Sequence, residues 1–164
     1  MAEPQRPKAG AAHQLGGARF LIVEARFYDA IGANLLAGAQ RALANEGATF
    51  EVVSVPGALE LALAAAIAVD EALRLRRPYC GIVALGCIIR GETYHFEIVA
   101  NESARALTEL AIGLRMPLGN GVLTVENEAQ AQVRADPAKG DKGGDAARAA
   151  IALHVLKASG GARS

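Results

Sequence analysis

Tyr79-Cys80-Gly81-Ile82-Val83-Ala84-Leu85 runs into Gly86-Cys87-Ile88-Ile89-Arg90-Gly91-Glu92-Thr93-Tyr94, and helical spacing then carries the chain from His95 to Leu114. Ile82 to Leu85 is continuously apolar and does not alternate, which is the mark of a strand buried on both faces of a parallel sheet. A buried strand, a short polar junction and a helix form part of a strand–helix–strand unit. In open sheets of this kind, ligands bind beyond the carboxyl ends of the strands. The junction here gathers Arg90, Gly91, Thr93 and His95. A helix that opens at such a place points free N–H groups and the positive end of its dipole at the ligand, which suits phosphate. The junction therefore reads as a site for a phosphorylated small molecule, with His95 beside it as proton carrier.

Outward from this stretch, strands and helices alternate. Arg19–Glu24 reads as the first strand, and Ala30–Asn45 as a helix with Asp29 as its cap. Glu46-Gly47 ends that helix, since glycine suits the left-handed turn found there. Thr49–Val55 is a β-branched strand. Pro56-Gly57 breaks the chain before a helix over Ala58–Leu75. Tyr79–Leu85 is the third strand and His95–Leu114 the third helix. Pro117–Val125 is the fourth strand and Glu126–Arg134 a short helix. Asp136–Gly144 is a loop, and Asp145–Lys157 the last helix. Met1 to Gly17 reads as a flexible tail, 18–158 as one folded unit and 159–164 as a second short tail. The pattern predicts an α/β fold of three layers, an αβα sandwich around a four-stranded parallel sheet, flavodoxin-like in type. Right-handed crossovers would bring Phe27, Pro56-Gly57, the Arg90–Thr93 junction and the segment after Val125 to one edge.

Composition narrows the function. Basic and acidic residues balance at 17 each, which argues against a general nucleic-acid binder. No apolar run reaches the roughly 18 residues of a membrane span, and residues 1–17 hold no apolar block of a secretory signal. Cys80 and Cys87 sit too close along one segment to bridge, so free thiols in the cytoplasm are expected. Their spacing does not fit a zinc site. The helix from Ala58 to Val69 carries Glu60 as its sole charge. A helix apolar nearly all round must be covered nearly all round, so a neighbouring subunit is expected against it.

Several side chains at the predicted edge have chemistry to offer. Glu60, in the first turn of its helix, can accept hydrogen bonds from substrate hydroxyls, although acidic residues favour helix starts in any case. His95 stands where the helix end disfavours imidazolium, leaving a ring able to take a proton. His13 and His154 lack such surroundings; His154 reads as a favourable charge at a helix C-terminus. Arg90, Arg134 and Lys142 are the cations near this edge. Arg134 is the first choice for phosphate, which a guanidinium grips bidentately. Phe27 suits stacking on a planar ring, and the backbone of Ile88 and Ile89 could hydrogen-bond the ring's edge.

Arg26-Phe27, Val55-Pro56-Gly57-Ala58-Leu59-Glu60, Leu85 to Phe96, Gly121-Val122-Leu123-Thr124-Val125-Glu126-Asn127, and Arg134 with Asp141-Lys142-Gly143 together resemble, in order, the lumazine synthase family. The resemblance covers residues 18 to 158. It implies condensation of 5-amino-6-(D-ribitylamino)uracil with 3,4-dihydroxy-2-butanone 4-phosphate to 6,7-dimethyl-8-ribityllumazine, phosphate and water, the penultimate step of riboflavin biosynthesis. The amine forms an imine with the ketone, phosphate is eliminated and the ring closes. Neither organic cofactor nor metal is implied, so catalysis would rest on positioning and proton transfer. By position, His95 matches the proton-transfer residue, and Arg134 with the N–H groups of Glu92 and Thr93 the phosphate site. Lys142 matches a family lysine near the site. Ala58 and Glu60 match the ribityl site, Phe27 the stacking ring, and Ile88 and Ile89 the ring-edge contacts; Gly57, Leu59, Cys87 and Asn120 are further expected substrate-binding residues.

There are departures. Asn120 stands where the family often has a Phe that reaches a neighbour's site; it can hydrogen-bond but not stack. Leu59 replaces a common Phe, and Cys87 a frequent Thr. The family forms pentamers with active sites between neighbours, and in some members 60-subunit shells. The turn Asp136-Pro137-Ala138-Lys139-Gly140 departs from the shell-forming pattern, so a homopentamer or a pair of pentamers is expected over a shell. The N-terminal tail could add a strand to a neighbour's sheet. Competing readings are a flavin or lumazine carrier, a structural shell protein and a flavodoxin-like electron carrier. The joint presence of His95, Arg134 and Lys142 disfavours the first, Glu60 and His95 would be gratuitous in the second, and the scarcity of aromatics disfavours the last.

Overall fold

A computed structural model describes residues 15–161. In chain order the elements are β1 (Arg19–Ala25), α1 (Asp29–Asn45), β2 (Thr49–Val55), a 3-10 turn (Ala58–Glu60), α2 (Leu61–Arg74), β3 (Gly81–Ile89), α3 (His95–Leu114), β4 (Leu118–Val125), α4 (Glu128–Ala135) and α5 (Lys142–Ala158). The four strands form one sheet in the order β2-β1-β3-β4, and every pairing is parallel. Of the N-terminal tail expected to supply a strand, residues 1–14 lie outside the described part, and residues 15–17 form no strand.

The central strands are apolar on both sides because each side faces a helical layer. Phe20 and Ile22 of β1 pack with Leu35, Leu43, Ala147 and Ile151 of α1 and α5. Leu21 and Val23, pointing the other way, pack with Leu61, Ala65 and Leu107 of α2 and α3. This is the expected αβα sandwich. The layer of α1 and α5 relies on small residues where backbones approach. A Cβ on Gly143 would lie 1.9 Å from the carbonyl oxygen of Leu35, so only glycine lets α5 cross α1 so closely. Gly47 ends α1 with φ +76°, the left-handed geometry its position predicts.

Several boundaries differ from the sequence reading: the helix expected over Ala58–Leu75 opens with a 3-10 turn, Ala58–Glu60, before α2, and strand ends shift by one or two residues. β3 continues to Ile89, although Gly86-Cys87 reads as a turn. Gly86 stays in the strand, paired with Val122 of β4, and a Cβ there would make only ordinary contact, 3.4 Å from that of Ala25. Asp29 does not cap α1: its carboxylate accepts from Arg26 Nη1 at 2.8 Å, and the capping position falls to Tyr28, whose side chain makes no cap bond. The short helix starts at Glu128, where Asn127 accepts from the Gln130 N–H at 3.0 Å. The last helix starts at Lys142, capped by buried Asp141. Asp141 also accepts from Arg148 at 3.0 Å and Arg41 at 3.3 Å, which compensates its burial. His154 packs edge-on against Phe20, ring centres 5.7 Å apart.

Candidate active site

Strand register creates the site. β1 and β2 end level, Ala25 opposite Val55, and β3 and β4 end level, Ile89 opposite Val125. Between β1 and β3 the last pair is Glu24 with Leu85. β1 ends at Ala25, beside Gly86, so β3 overhangs its neighbour from Cys87 to Ile89, and on that side no described strand lies beside it. The chain leaving β1 and the chain leaving β2 fold into the step. They enclose, with the start of α3, a cleft of about 330 Å³.

Phe27, Gly57, Ala58, Leu59, Glu60, Cys87, Ile88, Ile89, Thr93 and His95 all line this cleft. Phe27 is 72% exposed and meets the Tyr28 ring edge-to-face at 5.1 Å. The turn that carries it is braced from below. Buried Glu24 accepts from Ser54 Oγ at 2.7 Å and from Arg26 Nε at 2.9 Å, and Arg26 reaches on to Asp29. Glu60 turns its carboxylate back over Gly57, where a Cβ would stand 2.9 Å from Oε2. Cys87 is buried, and burial pushes its thiol up from 9.0 to about 11. It stays protonated at neutral pH and is a wall, not a nucleophile. His95 is the first residue of α3, whose cap position, Tyr94, supplies no side-chain bond.

Glu92, Asn120, Arg134 and Lys142 do not line the cleft of their own chain. Glu92 is exposed on the junction loop. Asn120 lies mid-strand on edge strand β4, opposite Ala84, and its Oδ1 accepts from the Val122 N–H at 2.9 Å. Arg134 is exposed on α4 and donates to the Gln130 carbonyl at 3.1 Å. Lys142 pairs with Asp145 at 3.1 Å. Arg90 also turns out of the cleft, toward Glu97 and Glu126. Tyr28, Gly91, Phe96 and Val99 complete the lining; of these, Gly91 belongs to the junction read from sequence, and the other three were given no role there. Val99 lies one turn after His95, so helical spacing was the signal available for it.

Among the described residues, no helix is long and apolar enough to cross a membrane. No group of three or more His, Cys, Asp or Glu side chains there could hold a metal ion. Sheet and cleft together define a flavodoxin-like α/β protein with a small-molecule site at the carboxyl edge of its strands. The model of the 6,7-dimethyl-8-ribityllumazine synthase family matches residues 17–158. A protein of that name from Methylocella silvestris is 62% identical over 164 residues, the whole of both chains. Another from Beijerinckia indica is 61% identical over 157 residues, 94% of this chain and 85% of the relative. A third from Azorhizobium caulinodans is 54% identical over 160 residues, 98% and 99% of the two chains. The chain belongs to the 6,7-dimethyl-8-ribityllumazine synthase family and is an enzyme of that family.

Proposed function

We propose that the cleft condenses 5-amino-6-(D-ribitylamino)uracil with 3,4-dihydroxy-2-butanone 4-phosphate, giving 6,7-dimethyl-8-ribityllumazine, phosphate and water. The observation that carries this reading is the convergence of Phe27, the Gly57–Glu60 turn, the β3 overhang and His95 on one cleft. Phe27 offers a face to the pyrimidine. The side of Cys87–Ile89 with no strand beside it offers backbone groups to the ring's edge. Glu60 accepts from ribityl hydroxyls, beside Ala58 and Leu59. The N–H groups of Glu92 and Thr93 receive the phosphate, and His95 moves the proton as imine forms and phosphate leaves. Each chemical event is then a matter of holding two reactants in line and passing protons, with no covalent enzyme intermediate.

In this reading Arg134, Lys142 and Asn120 act on the cleft of a neighbouring copy, within a homopentamer or a pair of pentamers. Two features support it. Those side chains lie away from their own cleft, and α2 leaves Leu63 and Ile67 exposed at 67% and 61% beside it. The folded unit is placed at residues 18–158 and the protein in the cytoplasm, where its two thiols stay reduced.

The test is absorbance of lumazine when the purified chain meets both substrates, followed by a mixing experiment. His95→Ala and Arg134→Ala are each expected to be impaired. Mixed assemblies, formed by unfolding and refolding the two together, are expected to recover activity in sites built from one intact half of each. Absence of product from the wild-type chain sinks the reaction. Absence of recovery sinks the shared site.

A further inference from the structure

Arg90 follows the last residue of β3, and its guanidinium faces away from the cleft. Nε donates to Glu126 Oε2 at 2.8 Å, Nη1 donates to Glu97 Oε1, and the group lies 4.2 Å over the Phe96 ring. Its own N–H donates to the Val125 carbonyl at 2.9 Å. One cation between two carboxylates makes a cluster of net negative charge, which rules Arg90 out as an anion ligand. What the cluster does instead follows from where its members sit. Arg90 precedes the junction loop and Glu97 follows it, so their ion pair closes the loop at its base. Glu126 then fastens that base to the end of β4, a corner made firm by the Asn127 cap and by Gln130 Oε1, which accepts from the Glu126 N–H at 2.9 Å. Phe96, clamped under the guanidinium, is itself part of the cleft wall.

Between these anchors, the N–H groups of Gly91, Glu92, Thr93 and Tyr94 donate to no acceptor among the described residues. Their side chains are exposed and bring no hydrogen bond of their own to hold the loop. A run of unspent amides binds an anion well only if its geometry is set beforehand, because ordering a loose loop on binding costs affinity. Exposed ion pairs add little to overall stability, so the cluster is poorly placed to hold the fold and well placed to hold the loop.

We infer that Arg90 is a positioning residue that closes the base of the Gly91–Tyr94 loop and so presets its free N–H groups for a phosphate. The inference rests on the proposed reaction for the identity of the phosphorylated substrate, but the loop can be probed without it. Arg90→Met keeps the stem and removes the two donors. Steady-state kinetics are expected to show KM for the phosphorylated ketone about tenfold higher, the scale of lost preorganisation. KM for the pyrimidine and kcat should stay close to wild type, as when binding alone is weakened. Arg90→Lys, able to reach one carboxylate at a time, should fall between the two. Glu97→Gln and Glu126→Gln should each give part of the same selective shift. Inorganic phosphate titrated into wild type and Arg90→Met by calorimetry gives a second readout, with Kd expected to rise by a similar factor. If wild type makes no lumazine, the proposed reaction fails and the phosphate titration alone decides the inference. Equal loss for both substrates, a fall in thermal midpoint that accounts for the change, or an unchanged phosphate affinity would each overturn it, as would failure of the wild-type chain to bind phosphate at all.

Discussion

The two helical layers covering the sheet solve different problems. α1, α4 and α5 press onto one face with alanines and glycines. Ala39, Ala131, Ala135, Ala147 and Ala150 are fully buried there, and α5 rides on α1 at a distance that only Gly143 permits. α2 and α3 cover the other face less completely. They bury Leu61, Ala65 and Leu107 against the sheet and present Leu63, Ile67, Ile98 and Ile112 to solvent. The first layer has spent most of its apolar surface inside the chain and leaves Val133, Leu153 and Leu156 less exposed than Leu63, Ile67 and Ile112. The other carries a stripe that, at about 25 cal/mol per Å² of apolar area removed from water, gains from a second molecule. The cleft lies at the end of the second layer, where α2 and α3 begin, so the cleft and the exposed stripe belong to the same layer.

The sharpest way to break this contrast is Gly143→Ala in the close-packed layer. The new Cβ would overlap the Leu35 carbonyl, a backbone group that cannot swing aside. A loss of about 3 kcal/mol or more is expected, beyond the usual range for overpacking, read as a lower guanidinium midpoint. An unchanged midpoint would mean that α1 and α5 separate freely and that the layer is not close-packed in solution.

A smaller effect is expected at Cys87 of β3, buried under the close-packed layer. Folding raises its thiol from 9.0 to about 11, so between these values the folded chain keeps a proton that the unfolded chain has lost. The contribution is complete below pH 9.0 and disappears as pH rises toward 11. At about 1.4 kcal/mol per unit, stability should fall by about 2–3 kcal/mol more in wild type than in Cys87→Ala. Denaturation midpoints of both chains from roughly pH 8 upward measure the difference. Parallel curves would show that the thiol reaches solvent.

The smallest effect on the single chain, and the most telling for the comparison, belongs to Leu63→Glu with Ile67→Glu. On the exposed stripe these should change the chain's own stability by no more than about 0.5 kcal/mol each and leave its helical circular dichroism intact. Sedimentation should show a smaller particle than wild type. An unchanged particle would make the stripe an ordinary exposed surface.

Much of this was legible in the sequence, and particular residues show why. Ile82–Leu85 announced a strand buried on both faces because a parallel sheet allows no polar alternation in its centre. Glu46-Gly47 marked the end of α1 through the one residue that takes positive φ without strain. The uncovered stripe of α2 was visible as a helix lacking a polar face. Other features resisted. Gly86-Cys87 read as a turn, since the pairing with Val122 and Leu123 of β4 that continues the strand cannot be seen from local sequence. Arg90 read as a cation near the ligand, and its two carboxylate partners lie 7 and 36 residues further along the chain. Asp29 had the chemistry of a cap and was taken by Arg26 instead.

The order of strands and helices, the apolar stripe and the family followed from sequence alone, because periodicity, turn chemistry and short motifs are written within a few neighbouring residues. The tertiary structure decided how far β3 overhangs β1, that ten of the expected site residues share one cleft, and that Arg134, Lys142 and Asn120 lie elsewhere. Those outcomes depend on register between strands distant in the chain and on which of several possible partners a charged side chain can reach. Such distances are set only once the layers have closed on the sheet.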